Sequence, residues 1–138
     1  MTTLRCLIVI AALACGGCGD EAETPTSATS TAPTTILFSG ALQPRGSRFY
    51  SYTLTTAGTV TAMLASLERS GVPVGNSLEL GLGIPAGTGC AVSVSSTTST
   101  ALVPQLRQDA STGTYCVRIS DTEGLPSAMT FTIRVIHP

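Results

Sequence analysis

Lysine and tryptophan are absent from this 138-residue chain, and histidine occurs once. All seven basic residues are arginine, so Schiff-base chemistry and lysine nucleophiles drop out. Charged residues make up only 11% of the chain and the formal net charge is −1. No broad electrostatic footprint therefore invites nucleic acid, which is not expected as a partner. Aromatic residues are 4% of the total, too few for the platforms of a sugar cleft served by paired carboxylates. There is no G-x-S-x-G motif, and no cofactor is expected. The length allows one ordinary domain.

The N-terminus, "MTTLRCLIVIAALACGGCGD", carries Arg5, then an apolar run from Cys6 to Ala14, then small residues around two cysteines. That order fits a secretory signal, and the run is much shorter than the roughly 20 residues of a membrane-spanning helix. Ala12, Leu13, Ala14 and Cys15 resemble the lipobox of a bacterial lipoprotein signal, which is cut before the cysteine that receives lipid. The resemblance makes residues 1–14 the signal peptide and Cys15 the lipidation site. Cys18 is the alternative, preceded by Cys15, Gly16 and Gly17 where the pattern usually has an aliphatic residue. A plain secretory signal without lipid is the other reading. In either case the domain is exported to a compartment where disulfides persist.

Residues 15–35 follow as a tether, with "DEAETPTSATSTAPTT" from Asp20 to Thr35 too polar to offset the entropy of ordering. At about 3.1 Å per residue, sixteen extended residues reach roughly 50 Å from a membrane. From Ile36 to Pro138 the period changes to two. Tyr50, Tyr52 and Leu54 share a face in "SRFYSYTLT", as do Val60, Ala62 and Leu64 in "GTVTAMLAS". The "AGT" between them predicts a hairpin. Leu78, Leu80, Leu82 and Ile84 align in the next strand, Val92 and Val94 in "CAVSVSS", Tyr115, Val117 and Ile119 in "TYCVRIS", and Phe131, Ile133 and Val135 in "MTFTIRVI". With "TILFSG" this gives about seven short strands and no amphipathic helix. The expected fold is all-β, a single antiparallel β-sandwich.

The motifs "FSGALQPRGSRFYSYTLTTAGTVTAML", "LGLGIPAGTGC", "GTYCVRISD" and "FTIRVIHP" together resemble the bacterial pre-peptidase C-terminal domain family. The resemblance covers Ile36 to Pro138. It implies a jelly-roll-like sandwich that aids secretion, localisation or attachment, and some members bind calcium. Family members are often appended to secreted proteases, whereas here the domain is expected to stand alone behind the signal. An immunoglobulin domain is not expected. Its Tyr and Cys stand two apart beside a buried Trp, whereas Tyr115 and Cys116 are adjacent and Trp is missing.

Five cysteines are present, and only Cys90 and Cys116 fall in the folded region. In an oxidising compartment they are expected to form one disulfide, worth roughly 3.5 kcal/mol for a loop of that size. Two unpaired cysteines with separate packing roles are the bland alternative. Cys116 should point away from the main core, since Tyr115, Val117 and Ile119 claim the inward face. A structural zinc site needs four ligands, but Cys90, Cys116 and His137 make three. A cysteine or serine nucleophile would depend on His137, next to the terminal Pro138, where chains fray. Asp121 and Glu123 in "SDTEG" are weak calcium candidates, because calcium takes 6–8 oxygens; a solvated turn is the bland reading. No catalytic residue is assigned. The expectation is a non-enzymatic lipoprotein of the bacterial cell envelope, in the outer membrane if the cell is Gram-negative, acting as a binding or attachment module. Its unidentified partner would be an envelope protein or glycan. An accessory protein that contacts another envelope protein through loops such as Glu68 to Val74 is the alternative, and a hydrolase is a distant third.

Overall fold

The computed structural model describes residues 32–138. The signal peptide, Cys6, Cys15, Cys18 and most of the tether lie outside the described residues. The remainder is all-β, with nine strands among the described residues: β1 (Thr34–Leu42), β2 (Ser47–Leu54), β3 (Gly58–Arg69), β4 (Val72–Pro73), β5 (Leu78–Ala86), β6 (Gly89–Thr98), β7 (Leu106–Ala110), β8 (Gly113–Ser120) and β9 (Met129–His137). One sheet runs β1-β9-β3, with β7 and β4 both on the far side of β3, and the other runs β2-β8-β5-β6. All pairings are antiparallel. With the two-residue β4 set aside, this is the eight-strand, double-sheet arrangement of a jelly roll.

The period-two faces meet between the sheets. Tyr52 and Leu54 from β2, Val60, Ala62 and Leu64 from β3, Leu78, Leu80 and Leu82 from β5, Val117 and Ile119 from β8, and Phe131, Ile133 and Val135 from β9 form one buried cluster. Fully burying an aliphatic or aromatic side chain stabilises by about 1.5–3 kcal/mol, so this cluster is the main favourable term.

Four expectations are corrected. β2 and β3 do not form a hairpin: β2 pairs with β8, and β3 with β9, β7 and β4. Alternation reports which face of a strand is buried, and both strands bury one, but on opposite sheets. Thr34 and Thr35, assigned to the tether, already pair with His137 and Ile136 in β1. Ile84 is 56% exposed, because β8 stops pairing with β5 at Gly83 and the strand runs on past the core. Val92 and Val94 do not share a face, because Ser93 between them is an extra residue in β6. Two strands also add to the expected seven. β4 forms through a two-residue turn at Ser70-Gly71, both at positive φ, the twist a tight hairpin requires. β7, "LRQDA", offers only Leu106 as a large apolar residue.

Sheet edges present unpaired N–H and C=O groups and are normally blunted. Along β1, Tyr50 Oη donates to the Ser39 carbonyl at 3.0 Å and Arg48 Nε to the Ala41 carbonyl at 3.3 Å. Along β3, the gap between β7 and β4 is filled by the segment before β7. Ala101 N donates to Leu64 O, Gln105 N donates to Ala62 O, and the Gln105 side-chain oxygen accepts from Leu64 N at 2.8 Å.

Candidate functional site

The disulfide depends on an irregularity in β6. Val94 pairs with Leu82 but Val92 pairs with Gly83, leaving Ser93 as an extra residue, a β-bulge. A one-residue insertion inverts the faces beyond it. Val94 packs against the core, whereas Val92 lies over Gly81 on the outer face. Cys90 is thereby carried to that outer face too, where Cys116 stands opposite Gly83. The two join in a disulfide with Cα atoms 5.9 Å apart. The bridge ties β6 to β8 across the end of β5, and Gly83 is what allows the approach: a Cβ there would overlap the Ala91 carbonyl oxygen and lie 2.8 Å from Val92 Cα. Cys116 is fully buried yet outside the central cluster, as expected. With both sulfurs bonded, neither is a thiolate for metal or nucleophilic chemistry.

Asp121 closes a loop. It is buried, and its carboxylate accepts hydrogen bonds from Arg45 N (2.6 Å), Leu125 N (2.6 Å) and Gly124 N (2.8 Å). Burial pushes its pKa up, but the main-chain N–H groups of Arg45, Leu125, Gly124 and Glu123 outweigh that and hold the carboxyl below its ordinary range. Arg45 itself sits at positive φ, so the side chain of Asp121 fastens a conformation that L-residues avoid. Glu123 contributes its main-chain N–H to this network, while its side chain is exposed. Among the described residues, no three His, Cys, Asp or Glu side chains gather as metal ligands.

His137 is a further correction. Far from fraying, it lies in β9, pairs with Thr34 and is buried, its ring stacked on Tyr52 with centroids 5.9 Å apart. Its Nδ1 donates to the Pro138 main-chain oxygen at 2.8 Å, and Nε2 is buried without a partner. Among the described residues, no acid, serine or cysteine orients it. Tyr52, stacked in turn on Tyr115, has its phenol pKa pushed up to about 12, first by burial and then by Tyr115. This end of the sandwich is an aromatic plug.

On the outer face of the β1-β9-β3 sheet lies an open depression of about 330 Å³ lined by Ser39, Gly40, Ser66, Glu68, Thr130, Phe131 and Thr132. Ser39 and Thr132 hydroxyls bond across it at 2.9 Å. It is hydroxyl-rich and holds a single carboxylate. On the other sheet, Arg118 pairs with Glu79 at 2.7 Å, a half-exposed pair of the kind that contributes about 0–1 kcal/mol. Among the described residues, no helix is long and apolar enough to cross a membrane. Compared with protein-family models and with curated proteins, the chain matches none.

Proposed function

We propose that this chain is a bacterial cell-envelope lipoprotein, anchored through lipid on Cys15, whose β-sandwich serves as a non-enzymatic binding or attachment module. The observation that carries the exported part of this reading is the Cys90–Cys116 bridge. Its geometry depends on a bulge and on a glycine, and disulfides of this kind persist outside the reducing cytosol. The lipid anchor is supported by Arg5, the short apolar run and the Ala12-Leu13-Ala14-Cys15 sequence. Attachment is supported by the rigid frame: two packed sheets, one with its edges blunted, present short loops and a hydroxyl-lined outer depression, which suit recognition more than turnover. The likeness to pre-peptidase C-terminal domains belongs to the same proposal and rests on the motifs, since unrelated families share sandwich folds.

The experiment is expression of the full chain with and without a signal peptidase II inhibitor. Lipoprotein processing predicts an unprocessed precursor with the inhibitor and a membrane-associated, detergent-soluble product without it. A product that stays fully soluble and is unaffected by the inhibitor overturns the anchor. Turnover of ester, peptide or glycoside substrates by the purified protein overturns the non-enzymatic part.

A further inference from the structure

The outer face of the β1-β9-β3 sheet is polarised along its strands. Moving across it at one level, Leu37 pairs with Arg134 and Arg134 with Met63. Leu37 is 61% exposed. Among the described residues Arg134 has no carboxylate partner: Nη2 meets the Met63 sulfur at 3.0 Å, and Nε is buried with no hydrogen bond. One step toward the start of β1, Arg107 of β7 stands opposite Thr61 on the same face and is exposed. Beside them, the segment held on the Ala62 and Leu64 carbonyls carries Leu102 and Val103 at 91% and 66% exposure. Two guanidiniums that make no ion pair among the described residues thus neighbour three exposed aliphatics. Of the acids on this face, Glu68 lies at the far end beside the hydroxyl-lined depression, while Asp109, two positions beyond Arg107 on the same face of β7, accepts from the Thr59 hydroxyl at 2.6 Å and leaves the end with a net positive charge of one.

The geometry points to this end of the sheet as the surface that lies on the anionic membrane to which the chain is tethered, an inference that rests on the lipid-anchor reading. The chain outside the described residues joins β1 at Thr34, three residues before Leu37, so the tether enters at the cationic, aliphatic end and leaves Glu68 distal. Arginines answer the charge of phosphate headgroups, and Leu102 and Val103 suit the headgroup–acyl boundary. Two arginines and a few aliphatics bind a membrane weakly by themselves. The eighteen residues between Cys15 and β1 hold the domain at high effective concentration, so weak contacts suffice to orient it.

The chain has no tryptophan, so L102W gives a single reporter, and S95W, at an exposed position of β6 on the other sheet, is the control. The full-length acylated proteins are reconstituted in phosphatidylglycerol–phosphatidylethanolamine vesicles with brominated acyl chains, and in brominated phosphatidylcholine vesicles. The expected result is a blue-shifted L102W emission quenched at least twofold more than S95W, only in the anionic vesicles. Each arginine near an anionic surface is worth about a fivefold factor. R107Q/R134Q therefore lowers the docking equilibrium roughly 30-fold and abolishes the difference, as does 0.5 M salt, about the ionic strength at which the Debye length shrinks to ~4 Å. R107Q alone and the salt series carry the test if R134Q disturbs the fold. Equal quenching of L102W and S95W overturns the proposal, as it would be for a face that serves an acidic protein instead. Acyl mass is read on the same samples: its absence overturns the anchor, and vesicle titration of that unacylated protein still decides the face.

Discussion

Replacing Gly83 with alanine places a methyl group where the Ala91 carbonyl oxygen lies, with Ala91 C and Val92 Cα at 2.7 and 2.8 Å from the added carbon. The obstructing atoms are main chain, so no rotamer change relieves the overlap. β6 must lift, and it is held down next door by Cys90 through the bridge to Cys116. Overpacking of this kind costs about 1–3 kcal/mol, and the bridge, closing 26 residues, contributes roughly 3.5 kcal/mol. If the bridge is what holds β6 over Gly83, the alanine costs less once Cys90 and Cys116 are both alanine. A double-mutant cycle then shows about 1 kcal/mol or more of coupling. The assay is urea unfolding of the four proteins in mild detergent, followed by far-UV circular dichroism. Removing the cysteine pair alone should lower Tm by about 15 °C for a domain of this size. Additivity within about 0.5 kcal/mol, or loss of less than about 1 kcal/mol on removing the bridge, refutes this account of β6.

Asp121→Ala leaves the buried N–H groups of Arg45, Gly124 and Leu125 without their acceptor and should cost about 2–4 kcal/mol in the same unfolding assay. Because the folded state depresses the Asp121 pKa, its contribution is present above the ordinary value of about 3.9 and is lost as pH falls through the folded value. Acid titration should therefore destabilise the wild type below about pH 4, and that limb should flatten in Asp121→Asn. Tyr52, with its pKa raised to about 12, contributes in the opposite direction. Stability should be level below about pH 10 and fall as pH rises from there toward 12. Ultraviolet absorbance titration should show one tyrosine ionising near 12 that disappears in Tyr52→Phe.

The inward residues were legible because burial imposes a period of two: Leu80, Val117, Ile119, Phe131, Ile133 and Val135 lie where alternation places them. Cys90 and Cys116 were legible as a pair because they are the cysteines left once the N-terminal ones are set apart. The route by which they meet was not. Parity along "CAVSVSS" assigns Cys90 to the same face as Val94, and only the extra Ser93 inverts it. A second bulge at Ala65 does the same in β3, turning both Leu64 and Leu67 inward. A bulge is a relation between two strands, and it has no signature in one. The β2–β3 hairpin failed for the same reason, since partner choice is set by what the rest of the chain leaves available. His137 was misread because its stability comes from pairing with Thr34 and stacking on Tyr52, both remote in sequence. The role of Asp121 was half legible: "SDTEG" announces a turn, but its bond to Arg45 N crosses 76 positions.

We propose that a lipid on Cys15 holds this sandwich at a membrane. Intact-mass measurement of the protein purified from membranes, with fragmentation of its N-terminal peptide, tests it most directly. The expected product is a mature chain that begins at Cys15 and carries two or three acyl chains on that residue. An unacylated chain, or one whose N-terminus lies elsewhere than Cys15, contradicts it.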